Sequence, residues 1–102
     1  MLKIHPNCEL CDIDLSADSL LAYICSYECT FCHRCVDGIL KNVCPNCGGG
    51  FTQRPIRPKT ARRKGVSIQH HPASTKRILS SYTKLQIVAF CEAAQDISVD
   101  KR

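Results

Sequence analysis

The apolar positions fall into three regimes along the chain. Between Ile4 and Phe51 they come in short bursts, and Leu10, Leu15, Leu20, Leu21, Ile24, Phe31, Val36, Ile39, Leu40 and Val43 form the candidate core. "LLAYIC" and "ECTFC" read as two short strands, and "RCVDGILKN" as a short helix opening at Cys35, with Val36, Ile39 and Leu40 inward. Gly38 weakens that helix by about 1 kcal/mol relative to alanine. "LSADSLLAY" offers one helical turn capped by Ser16. From Phe51 to Val66 apolar residues nearly vanish, and Pro55 and Pro58 favour extended backbone. After Pro72 a helical period returns: Ile78, Tyr82, Leu85 and Ala89 share a face, widened by Leu79, Val88 and Phe90. Three segments are therefore expected. They are a folded head over residues 1–52, a linker over 53–73, and a helix within 74–97, capped by Ser74 or Thr75 and running to about Gln95.

Composition changes the picture of the head. A segment of about fifty residues cannot bury enough apolar surface to offset its chain entropy. Nine cysteines in 102 residues point to cross-linking chemistry instead. Eight of them lie in the head as Cys8-x-x-Cys11, Cys25-x-x-x-Cys29-x-x-Cys32-x-x-Cys35 and Cys44-x-x-Cys47. A two-residue gap lets a tight knuckle aim two sulfurs at one metal ion about 2.3 Å away. In "CPNCGG", Pro45 presets the turn, while Gly48 and Gly49 can adopt positive φ and bring backbone N–H groups to the sulfurs. Eight thiolates satisfy two four-coordinate Zn²⁺ ions, each supplying roughly 10–16 kcal/mol of folding free energy. A disulfide framework fits poorly with "MLKIHPNCEL", which has no secretory character, and no βαβ pattern supports a redox pair. An iron–sulfur cluster uses thiolates too and stays open beside zinc. His5 and His33 lie near the ligands as alternative donors, whereas His70 and His71 read as loop.

Charge is unevenly divided. Residues 1–50 carry three Lys/Arg against six Asp/Glu, net −3, and residues 51–102 carry eleven against three, net +8. Each Zn(Cys)₄ centre adds −2 relative to neutral thiols, so the formal +5 becomes about +1, an acidic head on a basic tail. Six of the cations fall between Arg54 and Lys64, and Arg62, Arg63 and Lys64 are candidate phosphate contacts for a nucleic acid. No aromatic residue interleaves them to stack on bases, so a solvated linker is the competing reading. An isolated helix of about twenty residues is marginal in water, so the tail helix needs a surface: the head, or a second copy in a homodimer. Cys91 on that helix reads as a semi-buried free thiol. With no apolar run long enough to span a membrane and no secretory character at the N-terminus, a reducing cytoplasmic location, where thiols persist as metal ligands, is expected.

The ligand string resembles a RING finger of the all-cysteine kind, including Phe31 before Cys32 and Pro45 after Cys44. That resemblance implies a small α+β, treble-clef type cross-brace in which Cys8, Cys11, Cys32 and Cys35 bind one Zn²⁺, and Cys25, Cys29, Cys44 and Cys47 the other. RING ubiquitin ligases grip a conjugating enzyme through positions matching Leu10, Ile39 and Pro45 here; plain packing is the alternative role for all three. Ile39 replaces a common tryptophan, and Gly48 stands where many active ligases have a linchpin cation. The stretch from "HPNCELCD" through "ICSYECTFCHRCV" to "CPNCGGGFTQRPIRP" is similar to a bacterial family of short cysteine-rich proteins known as domain of unknown function 1272. That likeness implies a fold without an assigned activity and a host without a standard ubiquitin cascade. Three functions follow as expectations: a non-enzymatic zinc module binding a protein partner, a nucleic-acid-binding accessory protein, and a ligase-type adaptor.

Overall fold

In the computed structural model, which describes residues 1–102, the head is built on a three-stranded antiparallel sheet. Strand β1 (Ala22–Ile24) lies between β2 (Thr30–Cys32) and β3 (Thr52–Gln53), with Ala22 opposite Cys32 and Ile24 opposite both Thr30 and Thr52. The β1–β2 connection closes tightly, with Cys25 N–H donating to Cys29 O at 3.2 Å and Glu28 at φ 66°. Helix α1 (His33–Cys35) continues into a wide π-type turn, Val36–Leu40, which ends on two consecutive left-handed residues, Lys41 and Asn42. Asn tolerates that conformation through local side-chain bonding, and Asn42 Oδ1 here accepts Phe51 N–H at 2.9 Å. The expected opening of this helix at Cys35 shifts two residues earlier, and the Gly38 turn is wide rather than regular α. Its inner face nonetheless buries Val36 and Leu40 around Phe31 and Val43. Phe31 meets Phe51 edge to face at 5.5 Å.

Several expectations are corrected. Leu20 and Leu21 are 65% and 57% exposed: β1 is only three residues long, Ala22 takes its inward position, and both leucines fall in the preceding turn. Ser16 caps no helix; its hydroxyl donates to Asp18 Oδ1 at 2.8 Å in an open turn. The tail helix α2 covers Lys84–Ala94, not 74–97, and Thr83 with Gln86 forms its capping box in place of Ser74 or Thr75. Residues 74–80 are withheld from it because the head supplies their backbone partners. Ser74 N–H donates to Ile4 O and Ser80 N–H to Glu9 O, both at 2.9 Å, while Asn7 exchanges two bonds with the Ile78 backbone. The buried residues of α2 are Ile87 and Cys91, not the expected stripe: Leu85 is 84% exposed, and Ala89 is exposed as well. A 3₁₀ turn, Val99–Lys101, ends the chain, and Arg102 returns to donate to Asn42 O at 2.6 Å.

The segment expected as a solvated linker is anchored at both ends. Arg54 is 2% exposed, donating to His5 O and Ser16 O at 2.8 Å each. Arg57 donates to Leu2 O at 2.6 Å and to His71 O, and Ser67 is buried. Arg62, Arg63 and Lys64 lie between these anchors and are exposed.

Candidate metal centres

The knuckles bring the cysteines together in alternation. In the first, Cys8 N–H donates to Ile13 O and Asp12 N–H to Cys8 O, with Asp12 at φ 64°, which folds Cys11 back beside Cys8. β2 and α1 deliver Cys32 and Cys35 to the same place, and the four Sγ atoms lie within 4.8 Å of one another. Cys11 is exposed and the other three are buried. The Cys11 and Cys32 sulfurs are 3.7 Å apart, far beyond an S–S bond of about 2.05 Å. A tetrahedron with metal–sulfur bonds of about 2.3 Å has an edge of about 3.8 Å, so the separation suits a single tetrahedral ion.

Cys25, Cys44 and Cys47 form the second group, again with sulfurs within 4.8 Å of one another. Cys29 stands just outside it, its sulfur interacting with the Cys44 and Cys25 thiols. The last knuckle closes through Gly48 N–H to Cys44 O at 2.7 Å and Cys44 N–H to Gly49 O at 2.8 Å. Gly48 takes positive φ, 81°, as its position requires; Gly49 does not. Gly49 N–H donates to Cys47 Sγ at 3.4 Å and Tyr27 N–H to Cys25 Sγ at 3.3 Å, the type of donation that favours thiolate.

The thiols also perturb each other. The neighbouring Cys44 thiol is the largest cause holding the Cys29 thiol down to about 5, and the same neighbourhood pushes Cys44 up. Burial pushes Cys25 up to about 11, and burial with the neighbouring Cys8 charge raises Cys35. Packed thiolates repel, and four can coexist only around a cation. Both groups therefore suit a thiophilic dication by donor chemistry as well as by spacing.

No histidine joins either group. His5 is half-buried, its pKa lowered by burial, with Nδ1 unpartnered. His33 pairs with Asp37 at 2.9 Å and leans on Tyr23, and His70 pairs with Ser67 at 2.7 Å. Leu10 and Ile39 are half-buried against the core, and Pro45 is buried. The C-terminal segment lies beside two of them: Tyr82, Ile87 and Phe90 border a cleft with Pro45, and Lys84 and Val88 border another with Ile39. Cys91 lies apart from both sulfur groups, its Sγ donating to Val43 O at 3.4 Å.

Residue patterns gave no sign of Glu9, Asn46 or Arg54. Glu9 is 7% exposed; its Oε2 accepts Thr30 N–H at 2.7 Å and its Oε1 accepts from Asn46 Nδ2 at 3.2 Å. Burial pushes the Glu9 carboxyl up while the Thr30 bond pulls the other way. The only available signal was a charged residue inside a Cys-x-x-Cys knuckle.

No solved structure matches the chain. The uncharacterized protein R02474 of Rhizobium meliloti (strain 1021) is 49% identical over 79 residues, covering 78% of this chain and 87% of that protein. Residues 1–57, which include all eight cysteines of the head, match the model of the family described as "Protein of unknown function (DUF1272)", and the chain belongs to that family.

Proposed function

We propose that the chain is a non-enzymatic, cytoplasmic interaction module held by two structural Zn²⁺ ions in a RING-like, treble-clef type cross-brace. Cys8, Cys11, Cys32 and Cys35 would hold one ion, and Cys25, Cys29, Cys44 and Cys47 the other. The observation that carries this reading is the alternation of sulfur groups: the first cysteine pair lies with the third, and Cys25 of the second pair lies with the fourth. Mononuclear spacing favours zinc over a polynuclear iron–sulfur cluster. When bound, zinc supplies cross-links with no open coordination position, so the product of the site is a stable surface for a protein partner rather than a reaction. Elemental analysis of the dialysed protein should give two zinc ions per chain, and chelation should abolish the circular dichroism of the head. One ion per chain, iron in place of zinc, or an unchanged spectrum after metal loss would defeat the proposal.

A second reading keeps the basic segment as a nucleic-acid contact. Its support is the exposure of Lys59, Arg62, Arg63 and Lys64, but it is smaller than the 54–64 arm because Arg54 and Arg57 bond within the fold. The ligase-adaptor reading draws no support from Ile39 and Pro45, which share clefts with residues of the C-terminal segment, and Leu10 is half-buried against the core.

A further inference from the structure

Glu9 sits between two ligands of the first sulfur group, yet its carboxylate serves the second. It bonds to the backbone of Thr30, which directly follows Cys29, and to the side chain of Asn46, which lies between Cys44 and Cys47. A backbone bond doubles the first tie, with Glu9 N–H donating to Thr30 O at 3.0 Å. Cys29 is the one of the eight head sulfurs outside the two tight groups, and these ties hold its strand end against the last knuckle. Burying a carboxylate is costly unless its oxygens are satisfied, and both of these are.

We infer that Glu9 is a positioning residue for the second metal centre, seating Cys29 as the fourth ligand beside Cys25, Cys44 and Cys47. The inference rests on the two-zinc reading and adds that a side chain in one centre's knuckle sets the affinity of the other. Glutamine would keep one acceptor for Thr30 but turn an amide N–H₂ toward Asn46, so it preserves half of the brace.

The test uses the full chain loaded with ¹¹³Cd²⁺, whose two all-sulfur centres give separate resonances assigned with Cys11→Ser and Cys47→Ser. Chelator competition followed on each resonance yields two affinities. Glu9→Ala is expected to weaken the Cys25/Cys29/Cys44/Cys47 centre about 10- to 100-fold and the centre flanking the mutation by less than about threefold. Glu9→Gln should fall between Glu9→Ala and the native chain. Equal weakening of both centres, weakening confined to the first, or no change would overturn the inference. Should Glu9→Ala not refold with metal, Glu9→Gln reads the same tie with half of the brace kept: loss at the second centre alone supports the inference, and any other outcome overturns it. Fewer than two resonances from the native chain would refute the two-site reading itself, and this inference with it.

Discussion

Replacing Ile87 by alanine tests whether the C-terminal helix is a structural part of the head. Ile87 is 1% exposed on the inner face of α2, with Cys91 one turn later and equally buried. Truncating a buried isoleucine costs about 2–5 kcal/mol through lost transfer energy and the cavity left behind. Eleven residues are too few to stay helical alone in water, so that cost falls on the docking of α2 as a unit. Cys91 reports the undocking. Its thiol donates to Val43 O and burial pushes its pKa up, so the docked form resists alkylation. With the head cysteines held by metal, labelling of one thiol per chain measures helix opening. Each 1.4 kcal/mol is a factor of ten in the opening equilibrium, so Ile87→Ala should speed Cys91 alkylation about 30- to 3,000-fold. Leu85→Ala, on the exposed face, should change stability by no more than about 0.5 kcal/mol and labelling about twofold. Cys91→Ser should abolish the signal. Acceleration by Leu85→Ala with none by Ile87→Ala would refute this packing and restore the face that periodicity selects.

Acidification should release the metal. Each ligand must be a thiolate, and in the metal-free fold burial raises Cys25 and Cys35 while the Cys29 neighbour and burial raise Cys44, so these thiols favour the protonated form. Cys29 is the opposite case: its depressed value gives the metal-free fold a contribution present above the unfolded thiol range and lost as pH falls through about 5. Thiolate-to-cobalt absorbance of the Co²⁺ form should therefore decline as pH falls toward 5; full absorbance at pH about 4 would contradict this. Arg54→Ala removes the donor to two part-buried backbone carbonyls and leaves a void in place of a buried side chain, so it should destabilise the metal-loaded protein by about 2–5 kcal/mol in denaturant titration. An unchanged midpoint would show that the buried cation is dispensable. If the basic segment binds DNA through Lys59, Arg62, Arg63 and Lys64, the slope of log K against log salt should be no steeper than about −3.6. Neutralising Arg62, Arg63 and Lys64 should bring it to about −0.9, and an unchanged slope would exclude the segment.

The pairing of cysteines was legible because metal knuckles are local: the spacing dictates which sulfurs share a turn, and the cross-brace resemblance supplied the alternation. The short strands were legible for the same reason, since β1 and β2 flank one such turn. The tail was not. Ile78, Tyr82, Leu85 and Ala89 have helical spacing, but the Asn7 side chain acts as a strand partner to Ile78, giving a bond to its carbonyl and taking one from its N–H. A partner 71 residues away leaves no trace in the periodicity of the segment it captures. The same holds for Arg54, whose acceptors lie 49 and 38 residues away. It sits in a run of cations that by composition belongs wholly to solvent.

This long-range capture also reshapes the charge division between head and tail. Arg77 bridges Asp12 at 2.8 Å and Asp14 at 2.5 Å across the first knuckle, and Arg57 and Arg102 donate to backbone carbonyls of Leu2 and Asn42. Exposed ion pairs of this kind contribute little stability, so their consequence is geometric. They hold the extended segment before α2 along the knuckle that carries Cys8 and Cys11, where Ser80 meets the backbone of Glu9. With metal bound to the sulfur groups, tail and head would then stabilise one another. The tail restrains the loop whose glutamate reaches the second sulfur group, and bound metal would fix the loops on which the tail docks. Chelation should accordingly free α2 together with the head, and Cys91 alkylation should rise with metal loss even though Cys91 ligates nothing.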